Sequence, residues 1–155
     1  MSKNYLSIYA KSFSWASFFL PKKIYKKCST LYDFCRSLDN IADQDLDLNT
    51  KIKQFNKFKD KFLNENTDDE IITRMKKLIN DYNISKKIVY DLFDGVEYDL
   101  KKEVKINSKK ELLIYSYRVA GTVGLMMAKI LSVKRKVSLK SAIDLGIAMQ
   151  LTNIS

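Results

Sequence analysis

Histidine is absent from this 155-residue chain, and cysteine occurs only twice. The lack of histidine excludes histidine-based acid–base catalysis and removes the commonest ligand of catalytic zinc. Cys28 and Cys35 are seven residues apart and lie on the apolar side of a predicted helix. Because about two helical turns separate them, we expect two small buried apolar side chains rather than a disulfide.

Residues that interrupt helices are also scarce, with 4 glycines and 1 proline. Apolar positions recur at helical spacing along the chain, which predicts long helices and no β-hairpin. The length suffices for one hydrophobic core and hardly for two. The predicted fold class is therefore an all-α helical bundle in a single domain.

Long apolar runs are missing as well. The run Trp15–Leu20 is too short to cross a membrane, and nothing resembles a signal peptide. We therefore expect a cytoplasmic protein, with peripheral contact to the inner face of the membrane left open.

Acidic residues are fewer than basic ones, with 18 Asp+Glu against 28 Lys+Arg and a formal charge of +10. Such a charge suits nucleic acid, anionic lipid or a polyanionic substrate. Most lysines occur in scattered pairs, and only Lys134–Lys136 forms a basic triplet. Scattered pairs favour solvated helix faces, although a non-catalytic basic module that binds nucleic acid or membranes remains an alternative.

Helix N-termini are predicted from proline and capping residues. The first helix should have Pro21 in its first turn and run to about Asp43. Later helices are predicted to start at Asn49, at the capping box Thr67–Glu70, at Ser85, at the capping box Ser108–Glu111 and at Ser138.

The first helix carries a polar stripe of Tyr32, Arg36, Asp39 and Asp43. At about 100° per residue, these four side chains fall within roughly 60° of each other, and an apolar stripe lies about 80° away. Two carboxylates one turn apart repel each other unless a cation lies between them, and Mg²⁺ prefers few carboxylates together with phosphates. Spacing alone leaves two interpretations equally open, the wall of a cavity and a solvated face.

Two later segments also combine polar or small residues with an apolar helix. Gly121 and Gly124 lie inside a predicted helix, where each glycine costs about 1 kcal/mol relative to alanine. They indicate either close packing of helices or close approach of the backbone to a ligand, and packing is favoured by the pattern alone. Gln150 and Asn153 lie one turn apart and could face the same cavity or bond to each other.

Several segments together resemble the squalene/phytoene synthase family and follow its order along essentially the whole chain. They are Lys11–Ser14 with Leu20–Pro21, Tyr32–Asp43, Asp94–Asp99, Tyr115–Gly124 and Leu145–Ile154. Each segment alone is a weak match. The paired-aspartate helix together with the run Tyr-Ser-Tyr-Arg-Val-Ala-Gly-Thr-Val-Gly is specific.

The resemblance implies an isoprenoid-synthase-type bundle, of which residues 1–155 would be the N-terminal part of one domain, incomplete at the C-terminus. It implies a transferase that joins two prenyl diphosphates head to head through a cyclopropylcarbinyl diphosphate. Asp39 and Asp43 would be catalytic and would bind Mg²⁺, with Mn²⁺ as a substitute. Tyr115 would be the catalytic phenol near the reacting carbons and a proton-transfer partner.

The resemblance also implies a set of substrate-binding residues and one further metal ligand. Arg36 would hold diphosphate oxygens, and Asn153 would join a second metal-binding motif. The other substrate-binding residues would be Lys11, Ser12 and Tyr32 at the diphosphate, Val119, Gly121 and Gly124 along the prenyl chain, and Gln150 on the opposite wall.

Within the family, the chain looks closest to the phytoene synthase branch, which uses geranylgeranyl diphosphate in carotenoid biosynthesis. Squalene or dehydrosqualene synthase, using farnesyl diphosphate, is the alternative, and a need for NADPH stays open. The family continues with an Arg-Asp-x-x-x-Asp stretch beyond the last matching segment, whereas this sequence stops at Ser155 within a helical pattern. We therefore expect a fragment that is inactive alone, or one half of a split protein whose partner polypeptide supplies the C-terminal half.

Overall fold

The computed structural model describes residues 20–64, 67–101, 103 and 105–154. Within these residues the chain is helical and contains no strand, which confirms the all-α prediction. The helices are α1 Lys22–Asp43, α2 Leu48–Leu63, α3 Glu70–Asp81, α4 Lys86–Asp99, α5 Lys109–Ser116, α6 Thr122–Ile130 and α7 Lys136–Ile154. A π-helical segment, Tyr117–Gly121, joins α5 to α6, so 109–130 form one continuous rod.

Helix α1 is central to the core and contacts α2, α3, α4 and α6. Its Phe34 and Leu38 are fully buried. The Phe34 ring lies 5.5 Å from the Phe58 ring, 5.7 Å from Phe62 and 6.1 Å from Phe93, measured between centroids. Burying one large apolar side chain stabilises the fold by roughly 1.5–3 kcal/mol, so this aromatic cluster fixes α1 against its neighbours.

Two helices begin at aspartates near the predicted caps. Helix α2 is capped by Asp47, whose Oδ1 accepts a hydrogen bond from the Thr50 backbone N–H at 3.0 Å, so the prediction of Asn49 was wrong by two residues. Helix α3 is capped by Asp69 rather than by the first threonine of the predicted capping box. Asp69 accepts hydrogen bonds from two backbone N–H groups that follow it, at 3.1 and 3.2 Å. A carboxylate at this position accepts hydrogen bonds from N–H groups that have no partner within the helix, and the positive end of the helix dipole stabilises its charge.

The rod and α7 cross closely at two glycines. A β-carbon added to Gly124 would lie 2.3 Å from the Ala142 carbonyl oxygen, and one added to Gly146 would lie 2.4 Å from that of Ala120. Both neighbours are backbone atoms, which side-chain rotation cannot move. Helix packing is thus the observed reason for glycine at position 124, as the sequence pattern favoured.

Helix α7 packs on the rod with one face and leaves another face open. Only Gly146 is buried in α7. By contrast, the side chains of Leu145, Met149 and Ile154 are 63%, 59% and 50% exposed. Among the described residues, no helix is both long and apolar enough to cross a membrane.

Candidate functional site

The predicted polar stripe lies along the C-terminal half of α1. Helix α1 ends at Asp43 because Gln44 adopts an extended conformation. Tyr32 and Arg36 are half-buried, whereas Asp39 and Asp43 are exposed at the end of the helix. The stripe therefore runs from the edge of the core to the surface, between the two alternatives that its spacing left open.

The two carboxylates of α1 occupy an unfavourable electrostatic position. The C-terminus of a helix is the negative end of its dipole and disfavours nearby anions by about 0.3–1 kcal/mol each. No basic residue occupies the last turn of α1. Arg36 lies 4.0 Å from Asp39, between the guanidinium Nη1 and the carboxylate Oδ2, which is longer than a hydrogen bond. At the end of α1, the protein's own cations therefore neutralise the two carboxylates only in part.

A third carboxylate, Asp99, joins this region from α4. Asp99 is the last residue of α4, which also lacks a basic last turn. The Tyr115 hydroxyl, on α5, donates a hydrogen bond of 2.8 Å to Asp99 Oδ1. The fold therefore brings Tyr115, a predicted site residue, to the same region as Asp39 and Asp43.

The ionisation of these groups shows that they act on each other. Although 55% of the Asp39 side chain is exposed, the groups packed around its carboxylate remove part of its solvent and raise its pKa to about 6; Arg36 opposes that rise, while Asp43 and Asp99 add to it. Burial also raises the pKa of Asp99; the hydrogen bond from Tyr115 opposes the rise, and Asp43 adds to it. The pKa of Tyr115 is raised by burial first, then by its bond to Asp99 and by the charges of Asp99, Asp39 and Asp43. Concentrated negative charge of this kind is typical of functional sites.

The carboxylates at the end of α1 suit one particular mode of divalent-metal binding. Within the part of the chain that the structure describes, no three side chains of the metal-binding types stand close enough to enclose an ion. Mg²⁺, however, is usually held by one or two carboxylates, with substrate phosphates and water completing its octahedron. Asp39 and Asp43, exposed and one turn apart, fit that mode of binding and not an all-protein cage.

The other predicted residues occupy the rod and α7. Val119 packs against α4 at Gly95, where an added β-carbon would lie 2.8 Å from Val119 Cγ1. An added β-carbon at Gly121 would lie 3.2 Å from Ile143 and 3.4 Å from Ile147, so this glycine also admits α7. A role of Val119, Gly121 or Gly124 in lining a prenyl-chain cavity stays a prediction.

Gln150 is half-buried and Asn153 is exposed, both on α7. No hydrogen bond found among the described residues joins either amide to the acidic region at the end of α1. Lys11 and Ser12 lie outside the described residues. Their proposed roles, like that of Tyr32, stay predictions.

Asp99 is the residue that the sequence reasoning missed. Its segment, Asp94–Asp99, supported the family resemblance, but no role was assigned to it. The available signal was an aspartate at the end of a segment that matches the family; the structure places it at the C-terminus of α4, where the dipole disfavours an anion. Its hydrogen bond to Tyr115, sixteen residues later, depends on how α4 and the rod pack. Spacing along the sequence does not predict that contact.

A π-helical segment follows Tyr115 directly after Ser116. Such segments are rare and occur frequently at functional sites. The Ser116 hydroxyl is buried and has no hydrogen-bond partner within the described structure. The sequence predicted close packing or close approach to a ligand at Gly121 and Gly124, and the π-helical segment ends at the first of them.

Comparisons with known proteins identify the family of the chain. Residues 6–155 match the sequence profile of the squalene/phytoene synthase family. The chain is 33% identical over 151 residues to a 4,4'-diapophytoene synthase of Staphylococcus haemolyticus, covering 94% of this chain and 53% of that protein. It is 28% identical over 163 residues to a 15-cis-phytoene synthase of Pantoea ananas, covering 97% and 52%.

The fold is similar to solved structures as well. A dehydrosqualene synthase solved with a ligand matches with a TM-score of 0.79 at 26% identity, covering 97% of this chain and 53% of that one. The chain spans about half the length of the curated relatives it matches. Since the family profile covers nearly the whole sequence, and the helical fold agrees with it, the chain belongs to the squalene/phytoene synthase family.

Proposed function

We propose that this chain contributes the first aspartate-rich half of a phytoene synthase-like prenyltransferase. The reaction is head-to-head condensation of two geranylgeranyl diphosphates, through prephytoene diphosphate, to phytoene. The observation that carries the proposal is the acidic region formed by Asp39, Asp43 and Asp99, in which Arg36 lies near Asp39 and the Tyr115 phenol is hydrogen-bonded to Asp99. An anionic site of this kind suits a diphosphate only when divalent cations accompany it.

Asp39 and Asp43 would hold Mg²⁺, or Mn²⁺ in its place. When bound, the metal neutralises diphosphate charge and so assists departure of the leaving group. Because protonated carboxyls do not bind metal, the raised pKa of Asp39 means that metal affinity increases as pH rises through about 6. Lys11, Ser12 and Tyr32 would complete the diphosphate site.

Arg36 suits a diphosphate because its planar guanidinium presents several N–H donors to phosphate oxygens. Its side chain is 30% exposed and lies 4.0 Å from Asp39, so it stands near the carboxylates with part of its surface in solvent. The Tyr115 phenol would lie near the reacting carbons. Val119, Gly121 and Gly124 would border the prenyl chain, with Gln150 and Asn153 on the opposite wall.

A farnesyl diphosphate-using enzyme is the second candidate. The relative at 33% identity is a 4,4'-diapophytoene synthase, and the matching solved structure is a dehydrosqualene synthase. The length of the prenyl substrate would be set by the depth of the cavity that holds it. We retain geranylgeranyl diphosphate because the run Tyr117–Met127 is closest in appearance to the phytoene synthase branch.

The open face of α7 supports a further part of the proposal. Leu145 and Met149 lie one turn apart and are mostly exposed, and Leu113 on the adjoining α5 is 50% exposed. Burying these side chains would stabilise an assembly by roughly 25 cal/mol per Å² of apolar surface. We assign this face to the polypeptide that corresponds to the remaining half of the relatives. Without it, the described chain should give no turnover, since a carbocation needs a dry, enclosed cavity.

The expected product and the basic charge of the chain both favour contact with a membrane surface. A product with a long hydrocarbon chain must leave toward lipid, and the basic charge of +10 favours an anionic surface. We therefore propose a cytoplasmic protein with peripheral membrane contact, and no nucleic-acid partner.

The experiment combines the chain with that complementary polypeptide, covalently joined or co-expressed, and supplies each prenyl diphosphate with Mg²⁺. We expect phytoene from geranylgeranyl diphosphate and loss of product in Asp39→Asn. Asp60→Asn, which changes charge equally on the exposed side of α2, is the matched control and should retain activity. Product only from farnesyl diphosphate would select the second candidate, and no product from either substrate would refute the proposal.

A further inference from the structure

The Tyr115 phenol is held on two sides. Its hydroxyl donates a 2.8 Å hydrogen bond to Asp99, and its ring lies 5.8 Å from the Tyr98 ring at an angle of 49°. The Tyr98 ring in turn lies 4.3 Å below the Lys101 ammonium, and its hydroxyl bonds to the Lys105 carbonyl. The phenol is therefore fixed in both ring position and hydroxyl direction by α4 and the turn after it.

A second tyrosine–aspartate pair on the same two elements provides an internal comparison. The Tyr117 hydroxyl donates to Asp91, but at 3.3 Å. Asp91 is already bound by the Lys87 ammonium at 2.8 Å. No ion pair among the described residues involves Asp99. The Tyr115 hydroxyl is therefore the main hydrogen-bond donor that the described structure gives Asp99, whereas Tyr117 shares Asp91 with a cation.

The hydrogen bond determines what the phenol oxygen can offer to a ligand. A tyrosine hydroxyl carries one proton and two acceptor lone pairs. When the hydroxyl donates its hydrogen bond to Asp99, the lone pairs of the phenol oxygen point away from Asp99. The carboxylate also increases the negative partial charge on that phenol oxygen. A phenol oriented in this way accepts from a ligand or stabilises positive charge, and it does not donate to the ligand.

We propose that Asp99 is a positioning residue. Its carboxylate accepts a hydrogen bond from the Tyr115 hydroxyl and thereby orients the electron-rich phenol oxygen toward the reacting part of the substrate. This inference rests on the proposed function, in which positive charge develops on the prenyl carbons. Preorganised dipoles aimed at developing charge are a large source of catalysis. The inference gives Asp99 a role distinct from the metal-binding role proposed for Asp39 and Asp43.

The first test reads the phenol directly and does not depend on turnover. Tyrosine labelled with ¹³C at Cζ is introduced into the chain, and the Tyr115 resonance is assigned from Tyr115→Phe. In Asp99→Asn we expect the Tyr115 phenol to titrate at lower pH than in the wild type, because the neighbouring charge is gone. Asp91→Asn is the matched control and should move Tyr117 and leave Tyr115 unchanged. An unchanged Tyr115 titration in Asp99→Asn would overturn the proposal.

Should Asp99→Asn fail to fold, the hydrogen bond is tested by removing its donor and following the titration of Asp99. In Tyr115→Phe the aspartate loses its donor, so the pKa of Asp99, followed by ¹³C at Cγ, should rise. An Asp99 titration identical to the wild type would again overturn the proposal.

The second test uses the completed enzyme with prenyl diphosphate and Mg²⁺. Asp99→Asn should lower kcat with little change in KM, and the double variant with Tyr115→Phe should be no slower than Tyr115→Phe alone. Additive losses would contradict a role through Tyr115. Absence of turnover in the wild type would refute the proposed function but not the positioning of the phenol, which the spectra decide.

Discussion

The Asp39 carboxylate has a pKa raised to about 6 although the Arg36 guanidinium lies only 4.0 Å away. An adjacent cation normally lowers the pKa of an aspartate. Here loss of solvent and the charges of Asp43 and Asp99 outweigh it. The folded protein thus destabilises the charged form of Asp39, and a cation bound from solution would relieve that destabilisation.

The first prediction concerns the pH dependence of stability without divalent metal. Because the folded pKa of Asp39 exceeds its ordinary value of 3.8, its favourable contribution is complete below about pH 4 and is lost as pH rises to about 6. Asp39→Asn should therefore become more stable relative to the wild type over this interval, with a constant difference above it. Denaturant unfolding at several pH values, with a chelator present, measures this. A difference that is independent of pH would show that the carboxylate is not perturbed.

The second prediction tests the close crossing of the rod and α7. Gly146→Ala places a β-carbon 2.4 Å from the Ala120 carbonyl oxygen, so the helices must separate. Because the clash is with backbone, we expect it to cost about 3 kcal/mol, the upper end of the usual range for overpacking; after the gain of roughly 1 kcal/mol in helix propensity, the net loss of stability should be about 2 kcal/mol. Lys140→Ala, at an exposed position of the same helix, should change stability by about 0.5 kcal/mol or less. Equal stability of the two variants would contradict the crossing.

The third prediction concerns a buried ion pair that the sequence patterns did not reveal. Asp33 on α1 is 2% exposed and lies 3.5 Å from the Arg74 guanidinium on α3, which is 27% exposed. Removing one partner of a buried pair leaves an uncompensated charge, so Asp33→Ala should destabilise the fold by on the order of 3 kcal/mol. Glu70→Ala removes the other, 67% exposed carboxylate near Arg74 and should cost less than about 1 kcal/mol. Urea unfolding distinguishes them, and similar losses would mean that burial of Asp33 is unimportant.

Local patterns predicted the helices and the acidic pair because both depend on spacing within one helix. Asp39 and Asp43 could be placed on one face of α1 from sequence alone. The caps Asp47 and Asp69 were missed because several polar residues near a helix start compete, and backbone geometry selects among them.

Features that depend on how helices pack could not be predicted in the same way. The pair Asp99–Tyr115 and the pair Asp33–Arg74 each join two elements, and their partners are set by the arrangement of the whole bundle. The π-helical segment lies where the rod packs on both α4 and α7: Gly95 of α4 admits Val119, and Gly121 admits α7.

Asp39 and Asp43 are proposed to form a Mg²⁺-dependent diphosphate site. Titration calorimetry of the chain with geranylgeranyl diphosphate, with and without Mg²⁺, tests it most directly. We predict binding that requires Mg²⁺, is lost in Asp39→Asn and persists in Asp60→Asn. Absence of binding, or binding that ignores both Mg²⁺ and Asp39→Asn and weakens only with salt, would contradict the account; the latter would indicate a basic helical module instead.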